Sequence, residues 1–413
     1  MPTKTSSRSP HHSLKALDRL NVTLGDVRDV FEPYLAIFLA TERHWNPAQV
    51  GFALAITNIA GILTQTPIGA LVDASKHKRL LIAIAAVTIA ISYLIITSVL
   101  AFPAVIAAQA GIGIAAVTII PAVSAISLGL VGQDRLEQRI SRNEAFNRTG
   151  NTLTAVIAGV LAHFAGLTWI FYLLVLLCVA TTILIFRVQS RDIDNTVARS
   201  DDSSASDQSQ SQPRASVKDL LSDRTLVNFS VAVFLFYAAN AALLPLVGQQ
   251  LTGGQSNTSS AFLSACIAIS QFTTIPVAAW AGKAADRWGR KPLLLLAFAA
   301  TTLRAFLYGM SANPWFIVGV QTLDGIASGI FAVLLVVVVA DLTKGTGRFN
   351  LAQGGLYTMI GIGAALSNLA IGLLVKVTGF GVGFFTLSTI AAMGMLWLWL
   401  TVPETKARPD GKE

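Results

Sequence analysis

The sequence predicts an all-α membrane protein in which twelve transmembrane helices form two pseudo-symmetric bundles of six. Three observations support this fold. The 413 residues are 53% hydrophobic and 13% charged, whereas soluble proteins average about 25% charged residues. Twelve segments have the length of about 20 mostly apolar residues that a bilayer requires. One charged segment also occurs at the same place in each half of the chain, which indicates a duplicated protein.

The predicted spans fall into two groups of six, separated by a polar segment. The first group comprises 20–41, 47–71, 79–100, 103–131, 143–165 and 168–187. The second group comprises 225–249, 259–281, 291–311, 314–340, 349–375 and 379–402. The predicted domains are a cytoplasmic tail, an N-terminal six-helix bundle, a cytoplasmic linker, a C-terminal six-helix bundle and a second tail, at 1–19, 20–187, 188–224, 225–402 and 403–413.

The linker contains few apolar side chains, and its stretch from Ser200 to Gln212 is rich in Ser, Gln and Asp. A segment of this composition cannot bury enough apolar surface to fold, so we expect the linker to be solvated. No charged-then-apolar signal peptide precedes the first span. We therefore expect the first span to direct membrane insertion itself.

Basic residues concentrate on one side of the predicted membrane. Most of the 30 Lys and Arg residues lie in the tails, in the linker and in the loops after the second, fourth, eighth and tenth spans. Only Arg43 and Lys376 lie on the other side. Cytoplasmic loops carry such an excess, so both termini and the linker are predicted to be cytoplasmic, in the cytoplasmic membrane. The net charge of +8 is therefore a topology signal, and we expect no binding of nucleic acid.

The repeated charged segment joins the second span of each half to the third. The complete copy has Gly282, Asp286, Arg287, Gly289, Arg290 and Lys291, and the incomplete copy keeps Gly69, Asp73 and Lys78. Such a segment cannot lie in hydrocarbon, so it predicts a tight loop at a membrane face. The segment resembles the loop signature of the major facilitator superfamily, Gly-x-x-x-Asp-Arg/Lys-x-Gly-Arg-Arg/Lys. The incomplete copy has Ala74, Lys76 and His77 where that signature has Arg, Gly and Arg.

This resemblance implies two like-oriented halves, related by an axis along the membrane normal, that alternate between inward-open and outward-open states. It also implies that Asp73 and Asp286 latch the cytoplasmic side by pairing with basic residues and helix N-termini. The alternative is that both loops only anchor the topology. We expect Gly69 and Gly282 to permit close helix packing. Two signatures of proton-coupled drug exporters, in the fourth and fifth spans, are missing from the sequence.

Charged residues inside the predicted spans are the best guide to mechanism. Each costs at least about 2.5–3.5 kcal/mol at the bilayer centre unless it faces a partner or a cavity. The first span contains Arg28, Asp29 and Glu32, followed by Pro33. Arg28 and Glu32 are four residues apart and are predicted to pair, and Pro33 is predicted to kink the span.

The resemblance implies that the first, fourth, seventh and tenth spans line a central path. This places Asp29, Glu32 and Asp324 beside the path. A carboxyl group in a dry cavity takes up a proton more readily than one in water. The three residues are therefore candidate proton carriers or cation-binding groups, and direct contact with the solute is an alternative role.

Three arginines, Arg28, Arg148 and Arg304, also lie in predicted spans. They offer a further alternative, in which the acids belong to a buried charge network that only fixes helix register. For Arg304, we hypothesise a pairing with Asp324.

Amide side chains form the remaining candidates. We expect six of them to line the cavity, namely Asn58, Asn147, Asn151, Asn240, Gln271 and Gln321. Amides bind organic solutes through a few placed hydrogen bonds. The alternative is that each only joins neighbouring helices, which contributes about 0.6 kcal/mol.

Together these features predict a secondary active transporter that moves a small organic solute by alternating access, with proton-coupled export as the leading hypothesis. The alternatives are proton-coupled uptake of an organic anion, with Arg148 or Arg304 as countercharge, and a sensor that binds ligand without turnover. The sequence contains no Walker phosphate loop, metal-ligand spacing or nucleophile with a base, so we expect no cofactor, no metal and no enzymatic activity. The expected partners are the solute, protons and the lipid bilayer, and we expect a monomer.

Overall fold

The computed structural model describes residues 11–28, 32–132, 135–194, 222–251, 256–344 and 349–405. In this part of the chain, the helices before the linker are α1 (His11–Arg28), α2 (Glu32–Thr41), α3 (Pro47–Ala74), α4 (Lys78–Ser98), α5 (Phe102–Val131), α6 (Leu136–Phe164) and α7 (Thr168–Arg187), followed by a 3₁₀ turn at Ser190–Asp192. The helices after the linker are α8 (Arg224–Asn240), α9 (Leu243–Leu251), α10 (Ser256–Trp288), α11 (Arg290–Met310), α12 (Pro314–Val320), α13 (Thr322–Leu342), α14 (Phe349–Thr378) and α15 (Phe380–Thr401).

Each predicted span coincides with helix in the described residues. Ten helical segments there are long and apolar enough to cross a membrane, with α8 and α9 taken together and α12 and α13 taken together. The other two predicted spans are 20–41, whose described residues lie in α1 and α2, and 143–165, which follows a charged first part of α6. The predicted fold class, an all-α membrane protein, is confirmed, and the structure is consistent with twelve spans.

Several helices expose apolar faces that a soluble protein would bury. On α4 the exposed side chains include Leu80, Ile84, Val87 and Ile91. These residues recur every three or four positions and so form one stripe along the helix. Soluble monomers rarely expose contiguous apolar surface of this extent. The stripe on α4 therefore faces lipid in an integral membrane protein.

Two of the membrane-crossing segments are interrupted. The first interruption follows Asn240, at the end of α8. Pro245 in α9 has no N–H to donate to the carbonyl of Ala241, which removes one helical hydrogen bond at this point. The second interruption lies between α12 and α13, where the N–H of Asp324 bonds to the carbonyl of Gln321 at 3.0 Å. This spacing is a 3₁₀ turn, which locally tightens the helix.

The described residues form two compact units. The first unit contains the described parts of Met1–Phe31, Leu63–Thr154 and Ile170–Gln210. The second unit contains the described parts of Glu32–Ile62, Ala155–Trp169 and Ser211–Glu413. Two segments of the predicted N-terminal bundle thus pack within the second unit. The division of the sequence into bundles at 20–187 and 225–402 stays a prediction.

Glycines bring the first turns of α3 against the last turns of α14 in the second unit. A Cβ atom at Gly51 would lie 2.2 Å from the carbonyl oxygen of Asn368. A Cβ atom at Gly372 would lie 2.6 Å from the carbonyl oxygen of Pro47. Neither approach leaves room for a side chain, so the two backbones meet where only glycine fits.

Aromatic side chains fill the core of the second unit beside the interrupted helix α8. Phe236 stacks on Phe331 with ring centroids 3.8 Å apart, and Phe298 meets Phe236 edge-on at 5.2 Å. Such pairs contribute about 0.5–1.5 kcal/mol beyond the area that they bury. They hold α8, α11 and α13 together one turn away from Asn240.

Candidate functional site

A buried charge network lies in the second unit. Arg304 of α11 is only 1% exposed. Its guanidinium forms an ion pair with Asp324 of α13, and its Nη2 atom donates to Oδ1 of Asn240 at 2.5 Å. The hypothesised pairing of Arg304 with Asp324 is therefore observed.

Two further donors hold the other carboxylate oxygen of Asp324. Oγ of Ser270 donates to Oδ2 at 2.6 Å, and Nε2 of Gln321 donates to the same atom at 3.2 Å. The buried hydroxyl of Tyr308 donates to Oε1 of Gln321. Both oxygens of Asp324 are therefore occupied, by groups from α10, α11 and the turn between α12 and α13.

Two members of this network lie at helix interruptions. A charge at the centre of a bilayer costs about 2.5–3.5 kcal/mol, and the opposite charge and the hydrogen bonds offset that cost here. Asn240 ends α8 and Gln321 separates α12 from α13. In many transporters, interrupted helices form the binding sites for solutes and ions. The contacts of Arg304 and Asp324 therefore connect two interruptions.

Among the candidates of the first span, the structure describes the contacts of Glu32. Its Oε1 atom accepts a hydrogen bond from Nδ2 of Asn58 at 3.3 Å. Pro33 is buried in α2. Asp29 and the side chain of Arg28 lie outside the described residues, so the predicted Arg28–Glu32 pair and the kink stay predictions.

Arg148 forms a local ion pair on its own helix. Its Nη2 atom lies 2.9 Å from Oε1 of Glu144, four residues earlier on α6. The two side chains are 39% and 51% exposed, and exposed pairs of this kind contribute less than about 1 kcal/mol. The described contact of Arg148 is therefore a surface pair rather than a buried network.

A second polar network, in the first unit, was missed by the sequence analysis. Oδ1 of Asn143 accepts from Asn21 at 3.1 Å and from Arg139 at 2.8 Å, and its Nδ2 donates to Ser127 at 2.8 Å. These bonds join α1, α5 and α6. The available signal was spacing, because Arg139, Asn143 and Asn147 follow one another at four-residue intervals on one helix face.

Asp18 of α1 holds two arginines at the start of this network. Its carboxylate lies 2.8 Å from Nη2 of Arg139 and 2.8 Å from Nη2 of Arg142. Burial lowers the pKa of the Arg139 guanidinium, although the Asp18 charge opposes this shift. Hydrogen bonding to Asp18 raises the pKa of the Arg142 guanidinium. Both arginines precede the predicted fifth span and fasten α6 to α1.

The predicted cavity residues Asn147 and Asn151 continue the same face of α6. They are 8% and 5% exposed. Asn147 lines a small cavity with Asn21, Asn143 and Ser124, and its side chain makes no hydrogen bond within the described part of the chain. In the second unit, Gln271 is half-buried on α10.

In the complete signature loop, Arg290 is the central side chain. Its Nε atom donates to Asp341 at 3.1 Å, and its Nη1 atom lies 3.6 Å from Asp286. Nζ of the neighbouring Lys291 donates to the carbonyl of Trp399 at 2.6 Å. The loop is therefore fastened to α13 and α15.

Glu404, which the sequence analysis did not single out, completes this arrangement. Its carboxylate accepts the backbone N–H groups of Arg290 at 2.8 Å and of Lys291 at 3.1 Å. Gly289 has φ +96° and ψ 172°, a conformation that essentially only glycine adopts. A Cβ atom there would also lie 2.4 Å from Oε2 of Glu404. The signal in the sequence was an acid just beyond the last span.

The other predicted gate residues are largely exposed. Asp73 and Arg287 are exposed, and the side chain of Asp286 is 78% exposed. Lys78 is 2% exposed, and its Nζ atom donates to the carbonyl of Ser75 at 2.9 Å. The latch role of Asp73 and Asp286 stays a prediction.

The expectation that Gly69 and Gly282 permit close helix packing is wrong in this conformation. No described atom beyond their own helix and chain neighbours lies within 4 Å of a Cβ atom built at either position. Close packing depends on what faces the helix end, and the described residues leave open space at both glycines.

Sequence comparison identifies relatives along the whole chain. The model of the Major Facilitator Superfamily matches residues 22–283 and 229–413. An uncharacterized MFS-type transporter, found in two strains of Mycobacterium tuberculosis, is 41% identical over 396 residues, which cover 96% of this chain and 94% of the relative.

Solved structures agree on the fold. A mutant of the nucleoside transporter NupG has a TM-score of 0.77 at 15% identity, covering 94% of this chain and 98% of that one. A D-xylose-proton symporter has a TM-score of 0.73 at 14% identity, covering 96% and 98%. At these identities the likeness concerns the fold alone. With the family match over almost all of its length, the chain belongs to the major facilitator superfamily, whose members are membrane transporters and not enzymes.

Proposed function

We propose that this transporter couples the movement of a small organic solute to protons, with Asp324 as the coupling group. The proposal rests on the contacts of Asp324, because both of its carboxylate oxygens have partners. One oxygen holds the buried guanidinium of Arg304, and the other holds Ser270 and Gln321. A proton that binds Asp324 must therefore change the contacts of the whole network.

The coupling follows from the charge balance. While Asp324 is ionised, its charge cancels that of Arg304. A proton on Asp324 leaves Arg304 with the neutral Asn240 as partner, and an uncompensated buried charge costs several kcal/mol. The network then has to rearrange or admit water. Because Asn240 and Gln321 lie at helix interruptions, the rearrangement moves α8 and α13, which is how a proton shifts the balance between inward-open and outward-open states.

For the direction of transport, we propose export of the solute in exchange for protons. In this cycle, solute and proton bind the same network in turn. On the cytoplasmic side, solute binding breaks the contacts of Asp324. On the outer side, a proton binds Asp324 and the solute leaves. In this proposal the protein is a monomer in the cytoplasmic membrane, and both termini and the linker 188–224 lie in the cytoplasm. Glu32 and Asp29 are proposed as a second acidic group in the first span.

Uptake of an organic anion with protons is the second candidate, and one observation favours it. Arg304 is buried and held by Asp324. Protonation of Asp324 would release its guanidinium, which binds carboxylate and phosphate groups well. Proton binding would then promote anion binding, and the two would move in the same direction.

Transport by purified protein in proteoliposomes separates the two directions. The probes are a pentose, a nucleoside, a lipophilic cation and a dicarboxylate, each radiolabelled and tested under pH gradients of both signs. Export predicts that a probe accumulates in the compartment from which protons leave. Accumulation only in the compartment that protons enter would support anion uptake and overturn the exchange cycle. Glu32→Gln tests the second acid, because intact pH-driven flux in that variant would remove Glu32 from the coupling mechanism.

A further inference from the structure

A cavity of about 220 Å³ lies beside the incomplete signature loop in the first unit. Its lining residues include Lys76, His77, Lys78 and Arg79 from the loop and Phe186 and Ser190 from the end of α7 and the turn that follows. None of its lining residues is Asp or Glu. The cavity belongs neither to the network of Asp324 nor to that of Asn143.

The duplication of the chain gives this cavity a counterpart in the second unit. Aligning Gly69 with Gly282 places His77 opposite Arg290 and Lys78 opposite Lys291. One wall of the cavity thus corresponds to the complete signature loop and the start of α11.

The opposite wall has a counterpart as well. α7 and α15 are each followed directly by a buried valine, Val188 at 0% and Val402 at 2% exposure. Two residues further along the chain, Ser190 in the first unit corresponds to Glu404 in the second.

In the second unit, the carboxylate of Glu404 fills the corresponding place. It accepts the first N–H groups of α11, from Arg290 and Lys291, at 2.8 and 3.1 Å. The positive end of the helix dipole stabilises an anion at this position. In the second unit, the complete loop therefore holds a bound carboxylate.

In the first unit, the same place is open and its walls are positive. Ser190 carries no charge, and the side chain of His77 caps no N–H group at the start of α4. The backbone N–H of His77, the counterpart of that of Arg290, donates to Oγ of Ser75 at 3.0 Å, so a bound anion would be held mainly by the basic side chains of the wall. Nη1 of Arg79 donates to the carbonyl of Val188 at 2.6 Å. This bond positions the guanidinium at the cavity without neutralising its charge.

We propose that this cavity binds the phosphate group of an anionic membrane lipid, in the place that the Glu404 carboxylate occupies in the second unit. The basic wall, and the carboxylate of Glu404 at the corresponding place in the second unit, favour an anion with several acceptor oxygens. The rim specifies a lipid, because Leu80 and Phe186 are 48% and 53% exposed and Leu80 belongs to the lipid-facing stripe of α4. Basic pockets between transmembrane helices are suited to such headgroups.

The test uses the full chain in detergent with defined lipids. Ser190→Glu supplies the carboxylate that the second unit has, and Ser190→Gln supplies a side chain of the same size without charge. Native mass spectrometry measures bound phosphatidylglycerol, with phosphatidylcholine as the neutral comparison. We expect Ser190→Glu to weaken phosphatidylglycerol binding about tenfold, and Ser190→Gln to stay within about twofold of wild type. Binding of phosphatidylcholine should be equal in all three proteins.

A second variant keeps the test decisive if Ser190→Glu does not fold. Lys76 is exposed, and Lys76→Gln should weaken phosphatidylglycerol binding about fivefold without filling the cavity. Equal binding of phosphatidylglycerol by the variants and the wild type would overturn the proposal. If inorganic phosphate at an equal concentration displaced the lipid, the bound anion would be free phosphate and not a lipid headgroup.

Discussion

Arg304 donates to both Asp324 and Asn240, so a single buried guanidinium joins α8, α11 and α13. The charge of this guanidinium is balanced only while Asp324 is ionised. We propose that proton binding at Asp324 is linked to rearrangement of the three helices. A purely structural ion pair would instead stay ionised throughout the transport cycle.

Removing one partner of the Arg304–Asp324 pair should destabilise the protein more than removing both. Asp324→Asn leaves a buried cation and Arg304→Gln leaves a buried anion, at a cost of about 3–5 kcal/mol each. The double variant should recover most of this loss, because neither charge remains. Denaturant unfolding of all four proteins in detergent measures the coupling. If the two single losses added up in the double variant, the pair would not be energetically coupled.

Asn143 and Asn147 lie one turn apart on α6, and their substitutions should separate stability from transport. Asn143→Ala leaves Asn21, Arg139 and Ser127 without their shared partner, and each buried group left unpaired costs about 1–3 kcal/mol. Asn147→Ala breaks no described hydrogen bond and should cost less than about 1 kcal/mol.

If the small cavity at Asn147 contacts the solute, Asn147→Ala should raise the KM for the transported probe at unchanged thermal stability. Melting temperature and flux are measured on the same preparations. A loss of stability at Asn147 as large as that at Asn143 would show that its amide is structural.

Gly372 should control how tightly α14 closes against α3. Gly372→Ala puts a methyl group against the carbonyl of Pro47, 2.6 Å away, and overpacking of this kind costs about 1–3 kcal/mol. We expect the closed contact to open more often. The readout is maleimide labelling of a cysteine placed at Ala48, which is 9% exposed. The native Cys178 and Cys266 are both buried and should contribute little background.

Gly354 on the same helix provides the control for this experiment. A Cβ atom there has no described neighbour within 4 Å, and alanine is favoured over glycine in a helix by about 1 kcal/mol. Gly354→Ala should leave the labelling rate unchanged. Faster labelling in both variants, or in neither, would disprove a role of the Gly51–Gly372 contact in closure.

Glu404 should stabilise the complete signature loop through the N-terminus of α11. Glu404→Gln removes the charge that accepts two N–H groups, and we expect a loss of about 0.3–1 kcal/mol that decreases as salt is added. Gly289→Ala should cost about 1–3 kcal/mol because of its backbone conformation. Gly282→Ala, where a Cβ atom has open space, is the matched control and should cost nothing. Equal melting temperatures for Glu404→Gln and wild type at low salt would contradict this account.

The positions of the helices could be predicted because the bilayer imposes length and composition. The span predicted at 79–100 corresponds to α4 at Lys78–Ser98, and the two ends differ by only one or two residues. The pairing of Arg304 with Asp324 could also be predicted, because two opposite charges in neighbouring spans each need a partner.

The polar network around Asn143 and the carboxylate cap of Glu404 could not be predicted in the same way. Hydropathy places a residue along a helix but does not define which neighbour its side chain meets, because that depends on the rotation of each helix in the packed bundle. Arg148 illustrates the point, since it contacts Glu144 on its own helix. Pro245, in contrast, is a local feature of the sequence that removes one helical hydrogen bond after Asn240.

The most direct test of the central claim measures solute movement by Asp324→Asn in proteoliposomes, in parallel with the stabler Asp324→Asn/Arg304→Gln double variant. Two assays use the same transported probe: accumulation driven by a pH gradient, and exchange of labelled for unlabelled probe without a gradient. We predict that both variants lose gradient-driven accumulation, because no group binds the proton, and that the folded variants still exchange probe. Accumulation at the wild-type level in either variant would contradict the assignment of Asp324 as the coupling group.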